Sequence, residues 1–241
     1  MYSFDSRVRY SEVDQNQELT TTSIINYLQD CSTFQSEDLH LGIDYLTAHH
    51  RAWLLSFWQI VIERCPRLGE PITISTWPYD FKGIFGYRNF TIQDKEGNYL
   101  VKANSHWFFF DTEKGMPTRV REDDIRGYGI GSEPKLDMDY APRRIEVPEE
   151  YREEKPVLVV RHHIDTNHHV NNAQYVAIAR EQLPEDVQIR EIRVEYQKAA
   201  VLGDMIYPRV SEDGDASTVA LCSQDGTPYA VVWFRCMKRV C

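Results

Sequence analysis

His163-Ile164-Asp165-Thr166-Asn167-His168-His169-Val170-Asn171-Asn172-Ala173-Gln174-Tyr175 is the stretch from which the rest of the chain can be read. Asp165, Asn167, His168, His169, Asn171 and Asn172 fall within eight positions, too polar for a core element. A β-like run, Val157–Ile164, leads in. Ala173, Val176, Ala177 and Ile178 follow near helical spacing, so a helix over 171–182 is expected. Asn171 or Asn172 can cap it, because a short amide side chain accepts from the free N–H groups of a first helical turn. The polar cluster is thus expected where a strand hands over to a helix N-terminus, which favours negative charge. N–H groups near 170–172 are therefore candidates for stabilising an oxyanion.

The first half of the chain carries the same order. Val13-Asp14-Gln15-Asn16 lies over Ile164-Asp165-Thr166-Asn167, Leu68-Gly69-Glu70 over Leu202-Gly203-Asp204, and Gly97 over Gly226. Asp14 and Gly69 are 55 residues apart and Asp165 and Gly203 are 38 apart; the excess fits an inserted segment, Leu39–His50. A helix from Thr22 to Ser36 is expected, with Ile24, Tyr27, Leu28, Cys31 and Phe34 on one stripe, then a short helix over Asp44–His50. Strands are expected from 4 to 13 and at Trp53–Ile62, Pro71–Trp77, Ile84–Ile92 and Tyr99–Phe110. The second copy adds Val187–Gln197, Asp204–Val210, Ser217–Cys222 and Tyr229–Lys238. Each copy therefore predicts one long helix packed on an antiparallel sheet, an α+β architecture with internal duplication. Between them, residues 121–155 hold 18 charged residues in 35, with prolines at 134, 142 and 148. This segment reads as a linker or surface strap. The expected division is 1–120, 121–155 and 156–241.

Composition narrows the function. The chain has 241 residues, 42% of them hydrophobic, and a formal charge of −10, which argues against general nucleic-acid binding. Cys31, Cys65, Cys222, Cys236 and Cys241 are odd in number and contain no Cys-x-x-Cys pair, which fits reduced thiols in a cytoplasmic setting. No apolar run is long enough for a membrane span, and the start lacks the pattern of a signal peptide. His162-His163 and His168-His169 lack a helical His-x-x-x-His and a nearby Cys, so no metal is expected. No glycine loop for a nucleotide occurs, so no cofactor is expected.

The run Asp165, Asn167, His169, Val170, Asn171, Asn172 and Tyr175 resembles the acyl-ACP thioesterase family, which carries two hot-dog modules in one chain. The resemblance covers nearly the whole chain. It implies an intramolecular pseudo-dimer of tandem hot-dog modules and hydrolysis of the thioester that ends fatty-acid elongation on acyl carrier protein. It also implies catalysis in the second module, with the first shaping an acyl tunnel. The first copy keeps Asp14 and Asn16 but has Glu18 for His169 and Thr20-Thr21 for Asn171-Asn172, as a scaffold descended from an active module would. Plant members follow Glu-Tyr-Arg-Arg with Glu-Cys, the Glu being implicated in catalysis. Here Glu195-Tyr196-Gln197-Lys198 is followed by Ala199-Ala200, and that carboxylate is missing.

Thioester hydrolysis needs an activated water or nucleophile, a polarised carbonyl and a stabilised oxyanion. No Ser or Cys lies between 157 and 182, and no Gly-x-Ser-x-Gly elbow occurs. Asp165 is the leading general base or nucleophile, and His169 the alternative base with Asp165 orienting it. Asn167 can position water or the thioester carbonyl. Asn171 and Asn172 are caps first and substrate contacts second. Trp53, Phe57, Trp58, Trp77, Trp107, Phe108, Phe109 and Phe110 read mainly as sheet core. Part of this set, with Ile24, Leu28 and Cys31, is expected to bind the acyl chain. Arg143-Arg144, Arg190, Arg193, Lys198 and Lys238-Arg239 are candidates for a basic rim meeting the acidic carrier. Rival readings are an acyl-CoA thioesterase of the same superfamily, a hot-dog dehydratase or isomerase, and a non-enzymatic acyl-binding module. Two modules in one chain already supply the pairing that single hot-dog proteins need; a further homodimer stays open.

Overall fold

The computed structural model describes residues 1–131 and 133–238, which divide into two compact units. The first holds residues 1–56 and 63–140, and the second holds 57–62 and 141 onward. In the first, β1 (Tyr2–Arg7) is followed by α1 (Thr21–Asp38), α2 (Ile43–Ala48) and a meander: β2 (Arg51–Ile62), β3 (Pro71–Lys82), β4 (Phe85–Asp94) and β5 (Tyr99–Asp111). Met116–Pro117 forms a short β6, and Glu122–Ile125 a single helical turn, α3. The strand order is β1-β3-β4-β5-β2, and its register sets Tyr2 against Thr76, Ile74 against Ile92 and Phe90 against Ala103.

Helix α1 starts where Thr20 Oγ1 accepts the Ser23 N–H (3.1 Å). It stops where His40, at φ 57°, turns the chain left-handed, so that the His40 and Leu41 N–H groups reach back to the Glu37 and Ser36 carbonyls. Ile24, Ile25, Leu28 and Cys31 on its inner face are fully buried. The Cys31 thiol reaches the Ile74 carbonyl of β3 (3.6 Å), which places this stripe against the sheet. Apolar burial of this kind gives roughly 25 cal/mol per Å² and holds the helix where it lies.

The second unit repeats this plan in a shorter form. After the pairs β7 (Arg152–Glu153) and β8 (Val157–Leu158) come α4 (Asn172–Arg180), β9 (Val187–Tyr196), β10 (Met205–Asp213), β11 (Ala216–Cys222) and β12 (Pro228–Lys238). Its strand order is β2-β9-β12-β11-β10-β7, the β2 part being Phe57–Val61. Ala173, Val176 and Ala179 turn the buried side of α4 onto β11 and β12, where Val219, Leu221, Val232 and Phe234 are fully buried. The extra length of the first copy is α2 together with an α1 of 18 residues against 9 in α4.

Two expected strands are shorter than their apolar runs suggest. The strand expected over Val157–Ile164 pairs only at Val157–Leu158. Arg161–His163 then winds into a 3-10 turn and Ile164 makes one bridge to Val170. The strand expected over 4–13 likewise ends at Arg7, followed by a 3-10 turn at Tyr10–Glu12. In both copies the chain must fold back to present the Asp-x-Asn loop, and a ladder cannot continue through that reversal.

The charged segment contributes buried anchors to each unit. In the first, Asn89 Oδ1 accepts the Leu136 N–H (3.0 Å) and the Tyr140 hydroxyl (3.1 Å). The Trp77 indole donates to the Pro134 carbonyl (2.9 Å). In the second, Gln59 Oε1 accepts the Ala141 N–H (2.8 Å) and Glu195 Oε2 the Ile145 N–H (3.0 Å). Ile145 packs on Ala220, Cys222 and Val231. Glu195 is thereby occupied as a backbone anchor.

Candidate active site

The loop between Ile164 and Val170 is a closed ring of hydrogen bonds. Asp165 N–H donates to the His169 carbonyl (2.8 Å) and His168 N–H to the Asp165 carbonyl (3.1 Å). Asp165 Oδ1 accepts from Asn167 N–H (2.8 Å) and, more weakly, from His169 N–H (3.4 Å). An aspartate suits this place because its short carboxylate can reach the N–H groups two and four residues on. His168 takes the left-handed backbone, φ 61°, that closes the loop. Asp165 and His169 are half-buried, while Asn167 and His168 are exposed. Among the described residues nothing hydrogen-bonds to Asp165 Oδ2, to the Asn167 amide or to the His169 ring. These three groups, the expected catalytic set, stand together on one loop with their polar atoms uncommitted.

The helix N-terminus behind the loop is more fully occupied than expected. Asn171 is the N-cap, its Oδ1 accepting the Ala173 N–H (2.9 Å). Val170 N–H donates to the Ala200 carbonyl (2.9 Å) and Asn171 N–H to the His163 carbonyl (2.8 Å). Two of the N–H groups expected to meet an oxyanion are therefore spent in tying the loop to its neighbours, and the expectation is corrected for Val170 and Asn171. Asn172 opens the helix, and its carbonyl accepts the Tyr196 hydroxyl (2.9 Å).

Tyr175 carries a role that sequence reasoning assigned only to a motif. Its hydroxyl accepts the Ala200 N–H (2.8 Å), fixing the segment on which Val170 leans. Burial pushes its phenol up to about 12, with the carboxylates of Asp165 and Asp204 adding to the rise. Asp204 supplies no stand-in for the missing plant carboxylate: its Oδ2 accepts from Val201 N–H (3.0 Å) and the Tyr229 hydroxyl (3.0 Å). His163 is buried; its Nδ1 accepts the Val160 N–H (3.2 Å), and desolvation together with neighbouring His162 lowers its pKa.

Ile24, Leu28 and Cys31 lie elsewhere in the chain's architecture, on the buried face of α1, with no exposed surface. Burial pushes the Cys31 thiol up to about 12, which leaves it inert as a nucleophile. Of the expected basic rim, Arg193 is not free: its Nε pairs with Glu191 (2.7 Å) and its guanidinium lies over Trp233 (4.3 Å). Arg143, Arg144 and Lys198 are exposed. The side chain of Lys238 and all of Arg239 lie outside the described residues. No helix among the described residues is long and apolar enough to cross a membrane.

Two units in one chain, each a helix on an antiparallel sheet and the second headed by this Asp-x-Asn-x-His loop, make this a tandem hot-dog protein. The chain belongs to the acyl-ACP thioesterase family: the model of the family's N-terminal domain matches residues 1–128 and that of its C-terminal domain matches 146–230. It is 23% identical to a chloroplastic acyl-[acyl-carrier-protein] hydrolase of Cuphea viscosissima over 87% of this chain, and 24% identical to the chloroplastic oleoyl-acyl carrier protein thioesterase 1 of Arabidopsis thaliana over 83%. The chain spans 55% and 60% of those relatives' lengths. In fold it is similar to an acyl-ACP thioesterase from Bacteroides thetaiotaomicron, with a TM-score of 0.89, 22% identity and 98% and 97% of the two chains covered. A 12:0-ACP thioesterase from Umbellularia californica gives a TM-score of 0.85 at 17% identity, with 98% of each chain covered.

Proposed function

We propose that this chain hydrolyses the thioester of fatty acyl-ACP, releasing free fatty acid and ending elongation on the carrier. The observation that carries the reading is the uncommitted Asp165 Oδ2, beside Asn167 and His169, within the part of the chain matched by the family's C-terminal domain. Asp165 Oδ2, or the His169 imidazole oriented by it, takes a proton from water as the water oxygen bonds to the thioester carbon. Direct attack by Oδ2, followed by hydrolysis of the anhydride, uses the same atom. With Val170 and Asn171 N–H already spent, polarisation of the carbonyl falls to the side chains, first the Asn167 amide. As the tetrahedral intermediate collapses the C–S bond breaks and the proton passes to the departing thiolate. A thiolate leaves readily, so no further acid is required.

In this reading the second unit carries the chemistry and the first selects the acyl chain. The acyl chain lies along the α1 stripe of Ile24, Leu28 and Cys31. Arg143, Arg144 and Lys198 are the exposed cations for an acidic carrier. The four described cysteines are free thiols, which suits a reducing cytoplasm.

The test is hydrolysis of matched acyl-ACP and acyl-CoA series from octanoyl to octadecanoyl, with Asp165→Ala and His169→Ala beside the parent. The proposal expects strong preference for acyl-ACP and loss of cleavage in both variants. Preference for acyl-CoA would move the assignment to the acyl-CoA thioesterases, and acyl binding without cleavage would remove the enzyme. Leu28→Ala should lengthen the preferred chain, each added buried methylene being worth about 0.8 kcal/mol. A flat profile across such variants would discard the stripe as the acyl site.

A further inference from the structure

Three tyrosines of the second unit each use their hydroxyl on one stretch of backbone. Tyr175 accepts the Ala200 N–H (2.8 Å), Tyr196 donates to the Asn172 carbonyl (2.9 Å), and Tyr229 donates to Asp204 Oδ2 (3.0 Å). The Tyr175 and Tyr196 rings meet edge to face, 5.8 Å apart. Tyr175 and Tyr229 are 3% and 5% exposed. The Ala200 peptide links them to the catalytic loop. Its N–H is held by Tyr175 and its carbonyl accepts the Val170 N–H (2.9 Å). Val170 follows His169, whose carbonyl accepts the Asp165 N–H (2.8 Å). The Asp204 carboxylate held by Tyr229 accepts the N–H of the next residue along, Val201 (3.0 Å).

The first copy builds the same frame without these hydroxyls. Ile24 stands ten residues after Asp14, as Tyr175 stands ten after Asp165. The Leu19 N–H meets the Pro66 carbonyl where that of Val170 meets Ala200. The Glu63 and Arg64 N–H groups both meet the Leu100 carbonyl, as those of Gln197 and Lys198 meet that of Tyr229. This sets Leu100 over Tyr229 and Ile62 over Tyr196. Glu70 Oε2 accepts the Arg67 N–H (2.9 Å) as Asp204 accepts that of Val201. In place of the three tyrosines the first copy therefore has Ile24, Ile62 and Leu100, all buried. In place of the Ala200 N–H it has Pro66, which has none. Both ends of the Tyr175–Ala200 bond are absent together. A buried hydroxyl costs free energy unless it is bonded, a cost that isoleucine and leucine do not carry. The fold can be made without the hydroxyls, and they accompany the copy that has Asp165 and His169.

We propose that Tyr175, supported by Tyr196 and Tyr229, is a positioning residue that holds Asp165 and His169 in register for hydrolysis through the Ala200 peptide. The role rests on the hydrolase reading of the loop. A displacement of about 1 Å at a reacting group costs up to about 10²-fold in rate, so a bond that fixes the loop acts on turnover without touching substrate.

The test carries the first copy's pairing into the second. Tyr175→Phe alone orphans the Ala200 N–H, so it is run beside the double variant Tyr175→Phe with Ala200→Pro, which removes both ends of the bond and should keep the parent's melting temperature. On acyl-ACP the double variant should lose about ten- to a hundredfold in kcat at unchanged KM. The acid limb of its kcat/KM–pH profile should also be displaced, because the loop supplies the N–H groups that Asp165 accepts. Fewer folded molecules would scale the profile and leave the limb in place. Tyr196→Phe and Tyr229→Phe should show smaller losses of the same kind. Parent-like turnover in the double variant, or a loss that only scales the profile, would overturn the role. Amide hydrogen exchange at Asp165, His168 and Val170 is read in parallel and should quicken in the double variant while β9 is unmoved. If the parent cleaves no thioester but these amides quicken, the hydrolase reading fails and the positioning of the loop stands. If they do not quicken, the positioning fails whichever way cleavage falls.

Discussion

Asp14 and Asp165 each hold two N–H groups of their own loop, yet they end differently. Asp14 Oδ1 accepts from Asn16 and Glu18 N–H (2.8 and 3.0 Å), and its Oδ2 also accepts the Asn16 side-chain amide (3.2 Å). Asp165 Oδ1 accepts from Asn167 and His169 N–H, but the Asn167 amide leaves Oδ2 alone. The backbone beneath is the same. Gln17 and His168 both stand at φ 61°, and Val13 bridges Leu19 as Ile164 bridges Val170. Leu19 N–H meets the Pro66 carbonyl as Val170 N–H meets that of Ala200. Strained dihedrals often accompany function, but here the supposedly inert copy shares the strain. The left-handed residue and the carboxylate clasp therefore belong to the fold. What distinguishes the second loop is an open carboxylate oxygen, an imidazole where the first has Glu18, and an amide turned away.

That difference can be broken from either side. Copying the first loop into the second by His169→Glu should lower kcat/KM on acyl-ACP by roughly 10²-fold, the lower range for loss of an acid–base group. The melting temperature should stay put, since no ring hydrogen bond of His169 holds the fold; a large drop in melting temperature would make the histidine structural. A smaller effect is expected at the caps. Asn171→Ala should cost about 1 kcal/mol and speed amide hydrogen exchange in α4, and Thr20→Ala should do the same in α1. Asn171→Thr, which borrows the first copy's cap, should restore most of the protection. Loss of protection spread evenly over both units would contradict independent capping.

The smallest effect concerns pH. In the 3-10 turn ahead of each loop, Glu12 Oε2 accepts the Arg9 N–H (2.8 Å) where His163 Nδ1 accepts the Val160 N–H (3.2 Å). Burial lowers the His163 pKa below its ordinary 6.5, so the unfolded chain binds this proton more readily than the folded one. Stability from this group is present above that value and is lost as pH falls below it. Hydrogen exchange in the second unit should therefore quicken on acidification from neutrality, and His163→Glu should flatten that response. An unchanged slope in the variant would assign the pH dependence to other groups.

Much of this comparison was legible in the residues. The ordered matches Asp14 to Asp165, Gly69 to Gly203 and Gly97 to Gly226 hold in space: Gly69 N–H reaches the Val8 carbonyl as Gly203 N–H reaches that of Val159. The helices and long strands lay within a few residues of their apolar periodicity, because each buries one face. Three things were not legible. The β-like run Val157–Ile164 has strand composition, but its pairing ends where the loop must turn. The segment 121–155 is dominated by charge, which hid Tyr128, Leu136 and Ile145, all buried. The spent N–H groups of Val170 and Asn171 depend on carbonyls at Ala200 and His163, partners that no local pattern announces.

The measurement that bears most directly on the central claim is acyl-ACP hydrolysis by Asp165→Asn beside Asp14→Asn. Asparagine keeps an oxygen to accept the loop N–H groups, so both loops should remain folded. The free Oδ2 predicts a loss of about 10²–10⁴-fold in kcat/KM for Asp165→Asn, and parent-like turnover for Asp14→Asn. Equal losses in the two variants, or turnover that survives Asp165→Asn, would contradict the assignment of catalysis to the second loop.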